Sequence, residues 1–149
     1  MIRSFTPADR SVFLQMAAEF YQTPAVLHPV DPACAARTFD ALMAHTPYAD
    51  GFRISPDNAP EEAAGYVLTA RTWSNEIGGE VVWIEELYLR PQFRRMGLGQ
   101  EAFAFLHRHY AQARRFRLEV TAENHDAIRL YERLGYTSLN YRQMVREVP

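Results

Sequence analysis

Residues 83–99 read WIEELYLRPQFRRMGLG, and they predict a strand, a stop and a loop that leads into a helix. Pro91 ends the strand because proline cannot donate to a sheet ladder, and the following helix is predicted to begin near Leu98. Backbone N–H groups at a helix N-terminus bind phosphate oxygens, and glycine lets a ligand approach closely. This order of elements therefore predicts a phosphate-binding site, to which Arg94 and Arg95 add positive charge.

The composition predicts one globular domain that spans residues 1–149. The chain is 48% apolar and carries a formal net charge of -2, so it can bury a core, and its bulk charge does not suggest a nucleic-acid partner. No apolar run reaches the length of a membrane span, and no signal peptide is evident, so we expect no membrane association and a cytoplasmic location. The single cysteine, Cys34, cannot form an internal disulfide, and no ligand spacing predicts a metal site.

All sixteen basic residues are arginine, and this narrows the choice of phosphate-binding motif. A Walker P-loop requires lysine, so this chain cannot contain one. The residues from Gly97 to Ala102 do match the dinucleotide fingerprint G-x-G-x-x-G/A, and Glu119 falls near the expected ribose-binding position. However, that fingerprint should follow its strand almost directly, and residues 91–96 intervene here. The spacing therefore argues against a dinucleotide-binding oxidoreductase.

Hydrophobic periodicity predicts the element order β-α-α-β-β-β-α-β-α-β-β. Two helix starts are marked by a capping residue before proline, at Thr6-Pro7 and Asp31-Pro32, because this pair favours the first helical turn. Short connections predict antiparallel neighbours among the central strands. The predicted strands are 2–5, 51–54, 63–72, 80–89, 115–120, 136–137 and 140–148, and the predicted helices are 6–21, 31–45, 98–108 and 124–134.

Two motifs resemble those of the GCN5-related N-acetyltransferases, the GNAT superfamily. The segment RRMGLG at residues 94–99 resembles the family motif R/Q-x-x-G-x-G/A, which cradles the pyrophosphate of acetyl-CoA. The segment NHDAIRLYERLGY at residues 124–136 is similar to N-x-x-A-x-x-L-Y-x-x-x-G-F. Many members have glycine where this chain has Arg95, and Tyr136 stands in place of phenylalanine. The resemblance covers residues 80–149 well, whereas the first half agrees only in pattern.

The resemblance implies a mixed α/β GNAT fold: a central, mostly antiparallel sheet of about seven strands flanked by about four helices, with strands four and five splayed. It implies transfer of an acetyl group from acetyl-CoA to a primary amine of a small molecule or peptide, by direct attack and without a metal. A homodimer formed through the last strands is common among resembling proteins. The alternative function is a non-catalytic acyl-CoA-binding sensor or interaction module.

The resemblance also implies roles for individual residues. A general base on strand four would deprotonate the amine; Glu85 is preferred, and Glu86 would replace it if the strand carries a bulge. Tyr131 would protonate the leaving thiolate, and Asn124 would reach the pantetheine arm. The residues expected to bind the cofactor are Leu87, Tyr88, Leu89, Arg94, Arg95, Met96, Gly97, Leu98, Gly99, Gln100, Asn124 and Tyr131.

The acceptor side is less clearly defined by the sequence. Glu19, Tyr21 and His28 lie where this family often builds its acceptor pocket, and acids with aromatic residues would suit a cationic amine. A helix end followed by an ordinary loop would explain the same three residues. The sequence does not name the acceptor amine.

Overall fold

The computed structural model describes residues 1–148 and divides the chain into two compact units, one from Met1 to Glu119 and one from Val120 onward. No helix in the described part of the chain is both long and apolar enough to cross a membrane. The first unit contains β1 (Ile2–Ser4), α1 (Arg10–Phe20), α2 (Pro32–Met43), β2 (Ala49–Ile54), β3 (Gly65–Ser74), β4 (Gly79–Leu89), α3 (Leu98–His109) and β5 (Arg115–Leu118), and the second contains α4 (His125–Arg133).

The sheet of the first unit has the strand order β1-β2-β3-β4-β5. The first four strands pair antiparallel, and β4 pairs parallel with β5. Gly65 permits the close approach of β3 to β4, because a Cβ at this position would lie 2.0 Å from the backbone oxygen of Tyr88. The mixed sheet and the four α-helices agree with the predicted fold class.

The pairing of β3 with β4 contains a β-bulge at Glu85. Leu68 pairs with Glu86 and Thr69 pairs with Ile84, so Glu85 is the extra residue. The ladder between β4 and β5 also ends at Ile84. From Glu85 onward, β4 pairs with β3 only, which is consistent with the predicted splay of strands four and five.

The two faces of the sheet are covered by different helices. On one face, α1 and α2 pack with Tyr66, Leu68 and Tyr88 around a core of phenylalanine side chains. On the other face, Leu98 and Ala102 of α3 pack with residues of β2 and β4, among them Leu87 and Leu89. Because side chains alternate along a strand, β4 presents neighbouring residues to two different cores.

The prediction of about seven strands is wrong, since the sheet has five strands within residues 1–148. Residues 136–137 and 140–148 were expected to form closing strands, but residues 136–148 contain no strand. Their alternating pattern is compatible with a strand, yet a strand also needs a neighbour to satisfy its backbone groups. The second unit has no strand among its described residues, and side chains of this segment stay exposed, Met144 at 93%.

A buried carboxylate ties the start of α1 to the edge of the sheet. Asp9 is 2% exposed and accepts hydrogen bonds from Arg3 at 2.7 and 2.9 Å, from Arg53 at 3.0 Å and from the Thr6 amide at 2.8 Å. Arg3 and Arg53 are direct partners in the β1–β2 register, so Asp9 offsets the repulsion between two like charges. Burial alone would raise the pKa of Asp9, but these hydrogen bonds outweigh it and hold the pKa well below its usual value.

We expect Asp9→Asn to lower the free energy of unfolding by about 3 kcal/mol at neutral pH, because it leaves two guanidinium groups without their carboxylate. The native pKa is depressed, so this stabilisation is present above about pH 4 and is lost as the pH falls toward the native pKa. Urea unfolding at several pH values measures both effects. The matched control is Asp40→Asn, which removes the exposed ion pair with Arg10 and should cost less than about 1 kcal/mol. Equal losses for the two variants would contradict a special role for Asp9.

Candidate functional site

The loop that follows β4 has the backbone of an anion-binding site. A 3₁₀ turn at Pro91–Phe93 leads to two left-handed residues, Arg95 at φ 62° and Gly97 at φ 83°. The first helical amide that bonds back to the loop is that of Glu101, which donates to the Gly97 oxygen at 3.0 Å. The amides of residues 98–100 precede it and have no acceptor inside the helix, so they can bind an anion at the positive end of α3.

The side chains of this loop leave the backbone open. A Cβ placed on Gly97 would meet no atom within 4 Å, and Arg94, Arg95 and Met96 are exposed. The Arg94 side chain turns back and donates from Nε to the Leu89 oxygen at 2.9 Å. Arg95 occupies a conformation that costs a non-glycine residue about 1 kcal/mol or more, which explains why glycine suits this position in resembling proteins.

The carboxylate of Glu86 is held by two phenol groups. The Tyr21 hydroxyl donates to Oε1 at 2.8 Å, and the Tyr66 hydroxyl donates to Oε2 at 2.6 Å. Burial raises the pKa of Glu86, and the two hydrogen bonds oppose that rise. Burial and the nearby Glu86 charge also raise the pKa of both phenols, so the two hydroxyls stay protonated. We refer to Tyr21, Tyr66 and Glu86 as the Glu86 cluster.

Glu85 has different surroundings, although it precedes Glu86 directly. It is exposed at the bulge, and its pKa is raised first by partial desolvation and then by the carboxylates of Glu119 and Glu86. The bulge explains the difference, because it shifts Glu86 to the side of Leu68 while Ile84 stays on the side of Thr69. The two glutamates are therefore neighbours in the chain, but Glu85 is exposed to solvent whereas Glu86 is bound by two phenols.

An ion pair joins the end of α1 to the end of β4. Arg90 donates to Glu19 from Nε at 3.0 Å and from Nη2 at 3.1 Å, and the Tyr88 hydroxyl donates to the same carboxylate at 3.1 Å. Both oxygens of Glu19 are therefore engaged inside the protein. The structure thus brings Glu19 and Tyr21 beside β4, where they meet Tyr88 and Glu86. His28, in contrast, is exposed in the loop after α1.

Two residues of this region were not singled out from the sequence. Tyr66 would have required the β3–β4 register, because only that register places its hydroxyl near Glu86. Arg90 had a local signal, since it directly follows the strand and precedes Pro91, but its partner Glu19 lies 71 positions away. Neither contact can be inferred from neighbouring residues alone.

The second unit carries the other predicted motif on α4. The Asn124 side chain caps the helix by accepting from the Ala127 amide at 3.3 Å, and Gly135 ends the helical segment at φ 87°. Tyr131 is partly buried, and burial raises its pKa. Because the pKa of its phenol is raised, Tyr131 keeps its hydroxyl proton at neutral pH. Its ring centroid lies 6.2 Å from that of Tyr136.

Residues 14–136 match the model of the acetyltransferase (GNAT) family. The chain belongs to this family. GNAT membership excludes the dinucleotide-binding interpretation of the glycine-rich loop, even though β4, α3 and β5 form a parallel strand–helix–strand unit.

A thialysine N-ε-acetyltransferase from Caenorhabditis elegans is 38% identical over 81 residues, which are 53% of this chain and 50% of that protein. The chain thus matches about half the length of this curated relative.

Solved structures share the whole GNAT fold at low identity. A possible acetyltransferase from Clostridium difficile 630 has a TM-score of 0.83 at 19% identity, covering 100% of this chain and 97% of the other. A complex of AAC(6')-Iy with the bisubstrate analogue CoA-S-monomethyl-acetylneamine has a TM-score of 0.78 at 14% identity, with coverage of 100% and 98%. The 6'-N-acetyltransferase AAC(6')-IG from Acinetobacter haemolyticus has a TM-score of 0.76 at 15% identity, with coverage of 100% and 99%.

The GNAT family uses acetyl-CoA, and the loop before α3 fits that cofactor. First-turn amides beside an open Gly97 are the groups of this loop that can bind a pyrophosphate. No group of three or more metal-binding side chains occurs within residues 1–148.

We expect Arg95→Gly to leave CoA binding within about threefold of wild type and to leave stability unchanged or higher by up to about 1 kcal/mol. Glycine removes the left-handed strain at the cost of some unfolded-state entropy. Arg95→Val should instead lose more than about 1 kcal/mol, because a β-branched side chain resists positive φ. Urea unfolding and a CoA-dependent thermal shift measure the two effects. A large loss of CoA affinity in Arg95→Gly would show that the side chain contacts the cofactor.

Proposed function

We propose that the chain is an acetyl-CoA-dependent N-acetyltransferase, acting as one domain on a primary amine of a small molecule or peptide. The observation that carries this proposal is the placement of two features on β4. The strand bears Glu85 and Glu86 at its bulge and runs directly into the anion-binding loop before α3. A carboxylate that can accept the amine proton and a loop that can bind the CoA pyrophosphate, joined by one strand, support acetyl transfer from CoA to an amine.

The names of similar proteins favour a small-molecule acceptor. One relative is named for acetylation of thialysine, and two structural neighbours are named AAC(6')-Iy and AAC(6')-IG, the second an aminoglycoside 6'-N-acetyltransferase. The two structural neighbours share only 14% and 15% sequence identity with the chain, so they support the fold alone. The acceptor is our proposal. A small amine is our choice over a peptide amine.

We propose that the pyrophosphate of acetyl-CoA binds to the loop and first helical turn formed by residues 94–100. The arm of the cofactor would lie along the edge of β4 that β5 leaves unpaired after Ile84. There Leu87 and Leu89 could offer backbone groups in the manner of an added strand, with Tyr88 between them. A backbone N–H near Leu87 would polarise the thioester carbonyl.

The acceptor amine must be neutral to attack the thioester, so a base accelerates the reaction. We propose Glu86 for this role in place of Glu85. The sequence preference for Glu85 assumed a regular strand, and the bulge removes that assumption. Glu86 is held in one orientation by the Tyr21 and Tyr66 hydroxyls, whereas Glu85 is exposed.

The leaving thiolate needs a proton or a hydrogen bond, and we propose Tyr131 as the donor. Its place in the family motif and its raised pKa support this role. Asn124 would contact the pantetheine arm, as the same motif implies.

Tyr131→Phe should lower turnover while leaving CoA affinity nearly unchanged, and an unaltered rate across the pH range would refute the assignment.

The experiment that tests the function is a panel of primary amines, assayed by thiol release from acetyl-CoA. We expect turnover with at least one small amine, together with thermal stabilisation of the protein by acetyl-CoA. Acetyl-CoA binding without turnover across a broad panel would favour the acyl-CoA sensor. Absence of acetyl-CoA binding would overturn the proposal.

Glu86→Gln and Glu85→Gln separate the two candidate bases. We expect Glu86→Gln to lower kcat/KM by about 100-fold or more and to abolish the acid limb of its pH profile. Glu85→Gln should retain that limb, with a modest change in rate, because Glu85 only perturbs the site through its charge. The profiles are measured with the best amine of the panel. If Glu85→Gln loses the limb instead, Glu85 is the base.

A further inference from the structure

Three partly or fully buried carboxylates adjoin α1, and they differ in the groups that pair with them. Asp9 is paired with Arg3 and Arg53, and Glu19 is paired with Arg90. Glu86 receives two phenol hydrogen bonds instead. Within residues 1–148, no arginine or histidine lies at ion-pair distance from it. Glu86 is therefore a partly buried negative charge without a counter-charge.

The two phenols leave Glu86 able to bind another group. An ionised carboxylate offers about four lone-pair positions on two oxygens. Tyr21 occupies one position on Oε1, and Tyr66 occupies one on Oε2, so one position on each oxygen remains. Neutral donors satisfy hydrogen bonding but do not cancel charge, and a buried charge is costly until a cation pairs with it.

We infer that Tyr21 and Tyr66 hold Glu86 as the receptor for an ammonium group, so that the acceptor arrives as a cationic aliphatic amine. This inference rests on the proposed acetyl transfer and names the class of its acceptor. The ammonium nitrogen supplies both the missing positive charge and N–H donors for the remaining lone pairs. One N–H bond then breaks, and its proton forms an O–H bond with Glu86. The freed nitrogen lone pair forms a C–N bond with the thioester carbonyl carbon and the C–S bond breaks, while a second N–H proton passes to the leaving thiolate, directly or through Tyr131.

The tyrosines act through Glu86 and are positioning residues. Their rings pack with Phe20, whose centroid lies 5.5 Å from that of Tyr21, 6.4 Å from that of Tyr66 and 5.9 Å from that of Tyr88. The Glu19–Arg90 ion pair fastens the end of α1, two residues before Tyr21, to the end of β4. These ring contacts and this ion pair therefore help to hold both hydroxyls against Glu86.

The other titratable groups around the cluster are few. Glu85 lies beside Glu86 on β4, and the charge of Glu86 disfavours ionisation of Glu85. On α2, Cys34 is close enough to influence Tyr21 and is contacted by Arg37 at 3.1 Å from Nη2 to Sγ. Tyr88, with Glu19 and Arg90, completes the surroundings. Direct hydrogen bonds to Glu86 come from Tyr21 and Tyr66.

The test measures the Glu86 pKa directly, by NMR titration of protein labelled with ¹³C at the glutamate side-chain carboxyl. The Glu86 signal is assigned as the carboxyl resonance that is absent from the spectrum of the Glu86→Gln variant. We expect Tyr66→Phe and Tyr21→Phe each to raise this pKa by about one unit, because each removes a hydrogen bond to the ionised form. The acid limb of kcat/KM should move to higher pH by the same amount, with about a tenfold loss on the limb and little on the plateau.

The matched control is Tyr110→Phe. Tyr110 is also a buried phenol that donates to a carboxylate, since its hydroxyl lies 2.7 Å from Asp50 Oδ2, but it follows α3. We expect the Glu86 pKa and the pH profile to stay unchanged in this variant. If neither Tyr21→Phe nor Tyr66→Phe moves the Glu86 pKa more than Tyr110→Phe does, the positioning role is refuted.

A binding experiment tests the cation itself without relying on turnover. We expect n-butylammonium to raise the melting temperature of the wild-type protein in the presence of CoA, more than tetramethylammonium does at equal ionic strength, because only the former has N–H donors. Glu86→Gln should lose this difference. An absent difference in wild type, or an equal one in Glu86→Gln, overturns the inference. Failure of the amine panel with a positive ammonium result would reject the enzymatic function but keep the cation site.

Discussion

The β-bulge at Glu85 is the constraint on which the organisation of the site depends. It adds one residue to β4, so Glu86 joins the face of Leu68 while Ile84 stays on the face of Thr69. In a regular strand Ile84 and Glu86 would share a face, and the carboxylate would lie on the side covered by α3. The bulge thus lets one strand carry apolar residues to one core and a carboxylate to the other.

The bulge also coincides with the opening of the sheet. The β4–β5 ladder ends at Ile84, one residue before Glu85. The edge of β4 that faces β5 therefore becomes unpaired at the bulge, where the alternation of side chains between the two faces of the sheet is shifted. The anion-binding loop begins only a few residues later, after Pro91. A short length of chain therefore combines an unpaired backbone edge, a positioned carboxylate and the helix start that we propose as the phosphate site.

Charge balance separates the structural carboxylates from the proposed functional one. Asp9 and Glu19 are matched by arginines that belong to the same fold, and each ties α1 to the sheet. Glu86 is oriented by tyrosines and keeps its charge unbalanced. A folding interaction is complete within the protein, whereas a binding group retains capacity for its ligand. The Glu86 cluster has the second property.

Much of the local structure could be predicted because its causes lie within a few residues. Asp31 caps α2, Asn124 caps α4 and Gly135 ends the segment after α4, each through bonds or backbone angles set by adjacent residues. The turn and helix start that follow Pro91 were predicted in the same way, from proline and glycine in order, and phosphate binding there stays a prediction. The last two predicted strands were wrong because alternation predicts a strand only when a neighbouring strand exists.

The amino-acid sequence by itself determined the family, and it predicted four helices and five strands to within a few residues at their ends. Only the tertiary structure decided the register of β3 against β4, and with it the bulge, the orientation of Glu86 and the roles of Tyr66 and Arg90. The Tyr21–Glu86 hydrogen bond joins residues 65 positions apart, and the Glu19–Arg90 ion pair joins residues 71 apart. Such contacts depend on how whole elements pack, because no local preference of the chain encodes a partner at that distance.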